Sequence, residues 1–148
     1  MFNKATHYAL WGLVYTQMQN FNGIKPGIKE IAEKIKAPPL SVAKIFQRLV
    51  RLGFIISLKG KGGGFYFDKN IPELTIKELI HATMDDKIIT DCFLGLVNCS
   101  PQNPCPVHGQ WKTIRESIDW LVSTVTIQSL ARSYSTFINS KELALSND

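Results

Sequence analysis

Apolar side chains recur at helical spacing along the first third of the chain. Steps of three, four and seven predict a helix from Asn3 to about Met18, with an inward face of Tyr8, Trp11, Val14, Tyr15 and Met18. Asn3 is the expected N-cap. A second stripe predicts a helix of about ten residues with Ile28, Ile31, Ala32 and Ile35 inward. Ala37-Pro38-Pro39 ends this helix, because a residue before proline avoids the helical region.

A third apolar stripe predicts a helix over residues 40–52, ended by Gly53, with Val42, Ile45, Phe46 and Leu49 inward. The opposite face is polar and cationic, and carries Ser41, Lys44, Gln47, Arg48 and Arg51. Two short helices joined by a tight turn, with hydroxyl, amide and cationic groups on the second, are typical of a helix-turn-helix. This stretch is therefore interpreted as a DNA-reading motif.

A glycine-rich hairpin is predicted next. Residues 54–58 and 65–67 have strand composition, and KGKGGG joins them. A glycine-rich loop could instead cradle a nucleotide, but this one lies between two strands and does not precede a helix. It therefore fits neither the P-loop nor the dinucleotide fingerprint. Its flexibility and its two lysines favour a wing that contacts DNA.

The second half of the chain begins with a short helix predicted over residues 75–83. Further along, a seam repeats at steps of three and four through Trp111, Ile114, Ile118, Leu121 and Val125. A seam this narrow favours pairing with the same helix of a second subunit, although packing against the chain's own core is the alternative. Thr126 is the expected N-cap of a last helix, and the tail after Ser140 is expected to fray.

Charge divides the chain at the end of the hairpin. Residues 1–70 contain eleven Lys/Arg and three Asp/Glu, whereas residues 71–148 contain six and nine. A basic first half indicates a partner that is a polyanion. The predicted fold is mainly α with a small β-hairpin. A winged helix-turn-helix domain (1–70) precedes a linker with a short helix (71–91), a metal-binding loop (92–108) and a dimerisation helix with a C-terminal helix (109–148).

All three cysteines lie in residues 92–108, here called the cysteine segment, with the spacing C-x6-C-x5-C and with His108 three positions after the last cysteine. The segment is too rich in Pro, Asn, Ser and Gly for one helix, so it predicts a loop closed around a metal. Proline is favoured at the first helical position, and a helix starting at Pro106 would place its dipole beside the thiolates.

The location of the protein follows from what the chain lacks. There is no signal peptide and no run of 18 apolar residues, so the protein is expected in the cytoplasm and off the membrane. An odd number of cysteines there indicates metal ligands or redox thiols. His7, His81 and His108 accompany no serine motif and no paired carboxylates, so the sequence does not favour an enzyme.

From HYALWGL through the wing LKGKGGGF to CFLGLVNCSPQNPCPVH and TIQSL, the chain resembles the IscR/NsrR-type family of dimeric winged-helix transcription regulators. Many of its members bind an iron–sulfur cluster. The resemblance implies a cluster, 2Fe–2S in preference to 4Fe–4S, held by Cys92, Cys99 and Cys105. Its fourth ligand would be His108 or, alternatively, His7 of the partner subunit. The implied function is regulation, such as repression, in response to redox state, nitric oxide or cluster supply.

A homodimer of this type is expected to read an imperfect palindrome in double-stranded DNA with two helices about one turn apart. The expected base contacts are Ser41, Lys44 and Gln47. Arg51 is expected on phosphate, and Lys59 and Lys61 in the minor groove or on the backbone. Three alternatives stay open: zinc in the same ligands, a regulator whose cysteines only oxidise, and an iron–sulfur electron-transfer protein.

Overall fold

Seven helices and one antiparallel hairpin occupy residues 1–137, the part of the chain that the computed structural model describes. The elements are α1 Lys4–Phe21, α2 Ile28–Lys34, α3 Pro39–Arg51, β1 Ile56–Leu58, β2 Gly64–Tyr66, α4 Ile76–Ala82, α5 Lys87–Thr90, α6 His108–Thr124 and α7 Ile127–Phe137. The predicted fold class, mainly helical with a small hairpin, is confirmed. The fraying predicted after Ser140 lies outside the described residues.

Helix α1 is the centre of the core, since α2, α3, α4, α7 and the hairpin all pack against it. Its fully buried side chains include Ala9, Leu13 and Val14, whereas the predicted Trp11 is only partly buried. The predicted inward face was therefore too narrow and partly misplaced. A helix surrounded by neighbours buries most of its circumference, and a one-sided stripe underestimates that burial.

The helix-turn-helix forms close to its predicted bounds. The Asn3 side chain accepts a hydrogen bond from Thr6 N (2.9 Å), so the predicted N-cap of α1 is present. Helix α2 is shorter than predicted because Lys36 adopts a left-handed conformation (φ 53°) and Ala37 N bonds back to Ala32 O (2.9 Å). This turn ends α2, and Pro39 begins α3.

The first strand is shorter than predicted and the second lies one residue earlier, because both outer ends of the hairpin bond to helices. Phe54 N bonds to Leu49 O (3.0 Å), and Phe67 N donates to Asn20 Oδ1 (2.9 Å), so strand pairing covers only Ile56–Leu58 and Gly64–Tyr66. Gly64 is required at the base: its φ is +148°, and a Cβ there would lie 2.1 Å from Lys25 O. The wing is thereby held against the α1–α2 turn.

Helices α4 and α7 complete the packing around α1. A capping box of Thr75 and Glu78 starts α4, and Thr126 Oγ1 accepts from Ser129 N (3.0 Å) at the start of α7, as predicted. Ile127 N also bonds to Leu74 O (2.8 Å), so the two helix starts are tied together.

Helix α6 begins at His108, with Val107 as its N-cap, and not at Pro106. Pro106 stays in the turn that His108 N closes onto Cys105 O (3.0 Å). Along α6, Ile114 and Leu121 of the predicted seam are 51% and 50% exposed in the single chain, and Trp120 is 69% exposed. None of the helices within residues 1–137 has the length and apolar composition needed to cross a membrane.

Candidate metal centre and nucleic-acid interface

The three cysteine sulfurs converge at the base of α6. Their Sγ atoms all lie within 4.8 Å of one another, and Cys92 Sγ is 3.8 Å from Cys105 Sγ. Two turns fold the chain back to achieve this, because Gly95 N bonds to Cys92 O (2.9 Å) and Ser100 pairs with Asn103. The loop predicted from the Pro, Asn, Ser and Gly content thus brings together sulfurs separated by up to 13 positions.

His108, the first residue of α6, adjoins this sulfur group. Its Nδ1 atom lies 3.1 Å from Cys99 Sγ. His7 is not part of the group within one chain; it lies on α1 with its ring edge-on to Phe2 at 5.9 Å. Its Nδ1 is buried and has no hydrogen-bond partner within residues 1–137. One chain therefore supplies three thiols and one imidazole.

Two residues of α6 fasten the segment that leads into Cys92. Trp111 Nε1 donates to Asp91 O (2.8 Å), and an Arg115 guanidinium N–H donates to Thr90 O (3.0 Å). Sequence reasoning assigned Trp111 only to the helix seam and gave Arg115 no role. A small cavity of about 40 Å³ is lined by Thr90, Cys92, Cys99, Cys105, His108, Trp111 and Arg115.

The electrostatic environment differs among the thiols. A hydrogen bond from the backbone of Leu96 is the main reason why the pKa of the Cys92 thiol lies below its usual range. Burial is the main cause that raises the pKa of the Cys105 thiol, and the neighbouring sulfurs add to it. Cys92 therefore supplies a thiolate ligand more readily than Cys105 does.

The donor set fits a thiophilic metal. Thiolates are the usual ligands of iron–sulfur clusters, and three cysteines with one histidine also suit tetrahedral zinc. Sulfurs bound to one tetrahedral ion at about 2.3 Å lie roughly 3.8 Å apart, which matches the separation of Cys92 and Cys105. The same separation suits two thiolates on one iron of a cluster.

The predicted DNA-contacting residues lie on one helix and one hairpin tip. Lys44, Gln47 and Arg51 are exposed on α3, Ser41 at its start is partly exposed, and Lys59 and Lys61 are exposed on the wing. No carboxylate of residues 1–137 forms an ion pair with these four cations, so their charge is available to a polyanion. Arg48, for which a structural ion pair was the alternative, also has no such partner there.

Comparison with known sequences gives consistent results. The family model Rrf2, described as an iron-dependent transcriptional regulator, matches residues 2–133. A candidate HTH-type transcriptional regulator of Aquifex aeolicus (strain VF5) is 31% identical over 132 residues, which cover 88% of this chain and 90% of the relative. The HTH-type transcriptional regulator IscR of Photorhabdus laumondii is 24% identical over 83% of this chain and 74% of the relative. These proteins are named as regulators and not as enzymes, in agreement with the sequence prediction.

Solved structures agree on the architecture. CymR, the global cysteine regulator of B. subtilis, aligns with a TM-score of 0.72 at 16% identity, over 90% of this chain and 97% of that chain. IscR of T. potens aligns with a TM-score of 0.69 at 14% identity, over 95% and 93%. At these identities the likeness establishes the fold alone, which is that of winged-helix regulators.

Proposed function

Because the chain belongs to the Rrf2 family of transcriptional regulators, we propose that it is a homodimeric DNA-binding regulator whose affinity for DNA depends on an iron–sulfur cluster. Residues 1–70 would bind DNA, residues 71–91 would connect to the cluster loop at 92–108, and residues 109–148 would join the subunits. The convergence of Cys92, Cys99 and Cys105 at the base of α6 is the observation that carries this proposal.

The cluster would be held by the three cysteines, with 2Fe–2S favoured over 4Fe–4S. When bound, a cluster supplies a centre that changes with redox state, nitric oxide or cluster supply. Support for iron comes from the donor set and from the iron-dependent character in the family's description. The test is the absorption spectrum and acid-labile sulfide content of protein purified without air. A coloured protein containing sulfide is expected, and a colourless protein without sulfide would contradict the cluster.

The fourth ligand would be His108, because its Nδ1 already lies 3.1 Å from Cys99 Sγ. The competing ligand is His7 of the partner subunit. In the single chain the Nδ1 atom of His7 is buried and has no hydrogen-bond partner within residues 1–137. His108→Ala should change the visible spectrum, while His7→Ala should leave it as in the native protein. A change only in His7→Ala would instead assign the cross-subunit ligand, and unchanged spectra in both would exclude a histidine ligand.

A zinc-bound regulator is the second candidate, and the close packing of the sulfurs favours it. Cys92 Sγ and Cys105 Sγ already have the 3.8 Å separation of two ligands on one tetrahedral ion, and Cys99 Sγ lies within 4.8 Å of both. Elemental analysis separates the two candidates: about one zinc per chain with no sulfide supports zinc, and iron with sulfide supports the cluster. A metal-free protein that binds DNA only when its thiols are reduced would support the thiol-redox alternative.

A dimer would form along α6. Ile114, Leu121 and Trp120 leave a large apolar surface exposed on this helix in the single chain, and exposed apolar patches of this kind mark association surfaces. The two α3 helices could then enter successive major grooves of an imperfect palindrome. Sedimentation should therefore give a dimer, and Leu121→Glu should give a monomer with weakened DNA binding.

The DNA-contacting residues are proposed to divide into two roles. Ser41, Lys44 and Gln47 would contact base edges, Arg51 a phosphate, and Lys59 and Lys61 the minor groove or backbone. Lys44→Ala should alter sequence preference. Lys61→Ala should weaken binding to all DNA and reduce the salt dependence by about one phosphate contact. Identical effects of both changes would contradict the division.

Metal binding would affect DNA binding because the cysteine segment lies between the DNA-binding domain and the dimerisation helix. Three thiolates held by a metal order the cysteine segment at the start of α6, where the proposed dimer helix begins. Such ordering alters DNA affinity only if it favours one state of the dimer over another. Titrations of double-stranded DNA with loaded and metal-free protein test this, and equal affinities would exclude the metal as an effector.

A further inference from the structure

A groove of about 410 Å³ lies between α3 and the end of α4. Basic and apolar side chains line it together, and none of the lining residues is acidic: Ala5, Lys44, Ile45, Gln47, Arg48, Leu49, Arg51, Ala82, Thr83 and Met84. Its volume falls within the range of roughly 300–1,000 Å³ that is usual for small-molecule sites.

Arg48 is the unusual residue of this groove. Its Nε atom is shielded from solvent and has no hydrogen-bond partner within residues 1–137. Arginine carries its charge at all physiological pH values, and its N–H groups are donors only. A buried donor without an acceptor is rare and costs free energy, so it indicates an acceptor that the chain itself does not provide.

We propose that this groove binds a small organic anion with an apolar body. Charge complementarity identifies the head group, because Lys44, Arg48 and Arg51 give the groove three cations and no carboxylate is among the residues that line it. The apolar walls identify the body, since Ile45 and Met84 would cover carbon atoms. A bare phosphate would leave these walls unused.

A ligand bound in this groove would interfere with DNA binding. Lys44, Gln47 and Arg51 line the groove and are also the proposed DNA-contacting residues of α3, so a bound anion would compete for the same positive charge. The opposite wall ends at Thr83, whose Oγ1 is 2.8 Å from Thr6 Oγ1. This inference goes beyond the proposed function, and ligand binding itself requires neither DNA nor metal.

The test uses octanoate, octanol and inorganic phosphate as probes of the full-length protein in isothermal titration calorimetry. Octanoate should bind, whereas octanol and phosphate should each bind at least about tenfold more weakly. Arg48→Gln should weaken octanoate binding at least about tenfold, because it removes the cationic donor whose shielded Nε–H would bind the carboxylate. Lys29→Gln, which removes an equal charge from the exposed face of α2, should bind octanoate as the native protein does.

Three results would overturn the proposal. Octanol binding as tightly as octanoate would show a merely apolar surface. Phosphate binding as tightly as octanoate would indicate that the groove is a binding site for a phosphate of the DNA backbone. Native octanoate affinity in Arg48→Gln would place the ligand elsewhere.

If Arg48→Gln fails to fold, the Nε–H resonance of Arg48 in the native protein decides the matter. Octanoate should shift this resonance, and an unchanged resonance at saturation would also overturn the site. Saturating octanoate should also lower operator affinity, and unchanged affinity would overturn the competition. Octanoate binding and DNA binding are measured separately. Failure of the ligand site can therefore be distinguished from failure of the proposed DNA-binding function.

Discussion

The indole Nε1 of Trp111 donates a hydrogen bond of 2.8 Å to the backbone carbonyl of Asp91, the residue immediately before Cys92. This bond fixes the entry of the cysteine segment onto the first turns of α6. Trp111→Phe keeps the ring but removes the donor. Because groups that orient metal ligands contribute about 10- to 100-fold to metal affinity, we expect metal loss to a chelator to be about tenfold faster or more.

Ser117→Ala is the control, since Ser117 is exposed on the same helix and its hydroxyl donates to Thr113 O of that helix (3.0 Å). It should release metal at the native rate. Equal release from native protein and Trp111→Phe would show that the cysteines hold their positions without this anchor.

A buried hydroxyl network joins the start of α1 to the end of α4. Thr6 is fully buried, and its Oγ1 lies 2.8 Å from Thr83 Oγ1 and 2.9 Å from Asp85 Oδ2. Thr6→Val preserves shape but leaves polar groups with fewer partners, so unfolding free energy should fall by about 1–3 kcal/mol. Urea denaturation measures this change.

Thr113→Val serves as the comparison, because Thr113 is exposed and its hydroxyl donates to Gly109 O of the same helix (3.3 Å). Its stability should stay within about 0.5 kcal/mol of native. A similar small effect for Thr6→Val would mean that the network contributes little beyond packing.

Local sequence signals predicted most of the helices and two of their caps correctly, but they did not predict how fully α1 is buried. The Asn3 and Thr126 caps were predicted because a cap depends on residues three positions apart. The inward face of α1 was misjudged because four helices and the hairpin surround it, and no single-stripe pattern contains that information.

The same limit applies to the candidate site. Cysteine and histidine spacing identified the donors, since ligand chemistry is visible in residue type. The Trp111 and Arg115 anchors depend on backbone carbonyls some twenty or more positions away, and a carbonyl's accessibility has no sequence signature. The exact start of α6 was left open, because Pro106 fits a turn as well as it fits a first helical position, and the helix begins at His108.

Glu73 should make stability depend on pH. Arg132 donates to its carboxylate at 2.7 Å and Thr126 at 2.6 Å, and these bonds, the one from Arg132 first, lower the pKa of Glu73. A carboxyl group with a lowered folded-state pKa stabilises the fold above its unfolded pKa, and this contribution is lost as pH falls through the folded pKa.

Glu73→Gln should therefore destabilise the protein at neutral pH, by less than about 1 kcal/mol because the pair is largely exposed. The difference from native should vanish at acidic pH. Denaturation curves at several pH values measure it, with Glu116→Gln as control, since the exposed Glu116 lies 3.9 Å from Lys112 Nζ, a weaker pair. A difference that stays constant down to acidic pH would contradict the role of the Glu73 charge.

Gly12 and Gly109 form a matched pair for the packing of α1 against α3. A Cβ at Gly12 would lie 2.9 Å from Phe46 Cε2 and 3.3 Å from Ile31 Cγ2, whereas a Cβ at Gly109 would meet nothing within 4 Å. Gly12→Ala should lower unfolding free energy by about 1–3 kcal/mol through overpacking, despite alanine's higher helix propensity. Gly109→Ala should raise it, by up to about 1 kcal/mol. Opposite signs in urea denaturation are expected, and stabilisation by both changes would show that the Phe46 ring moves aside freely.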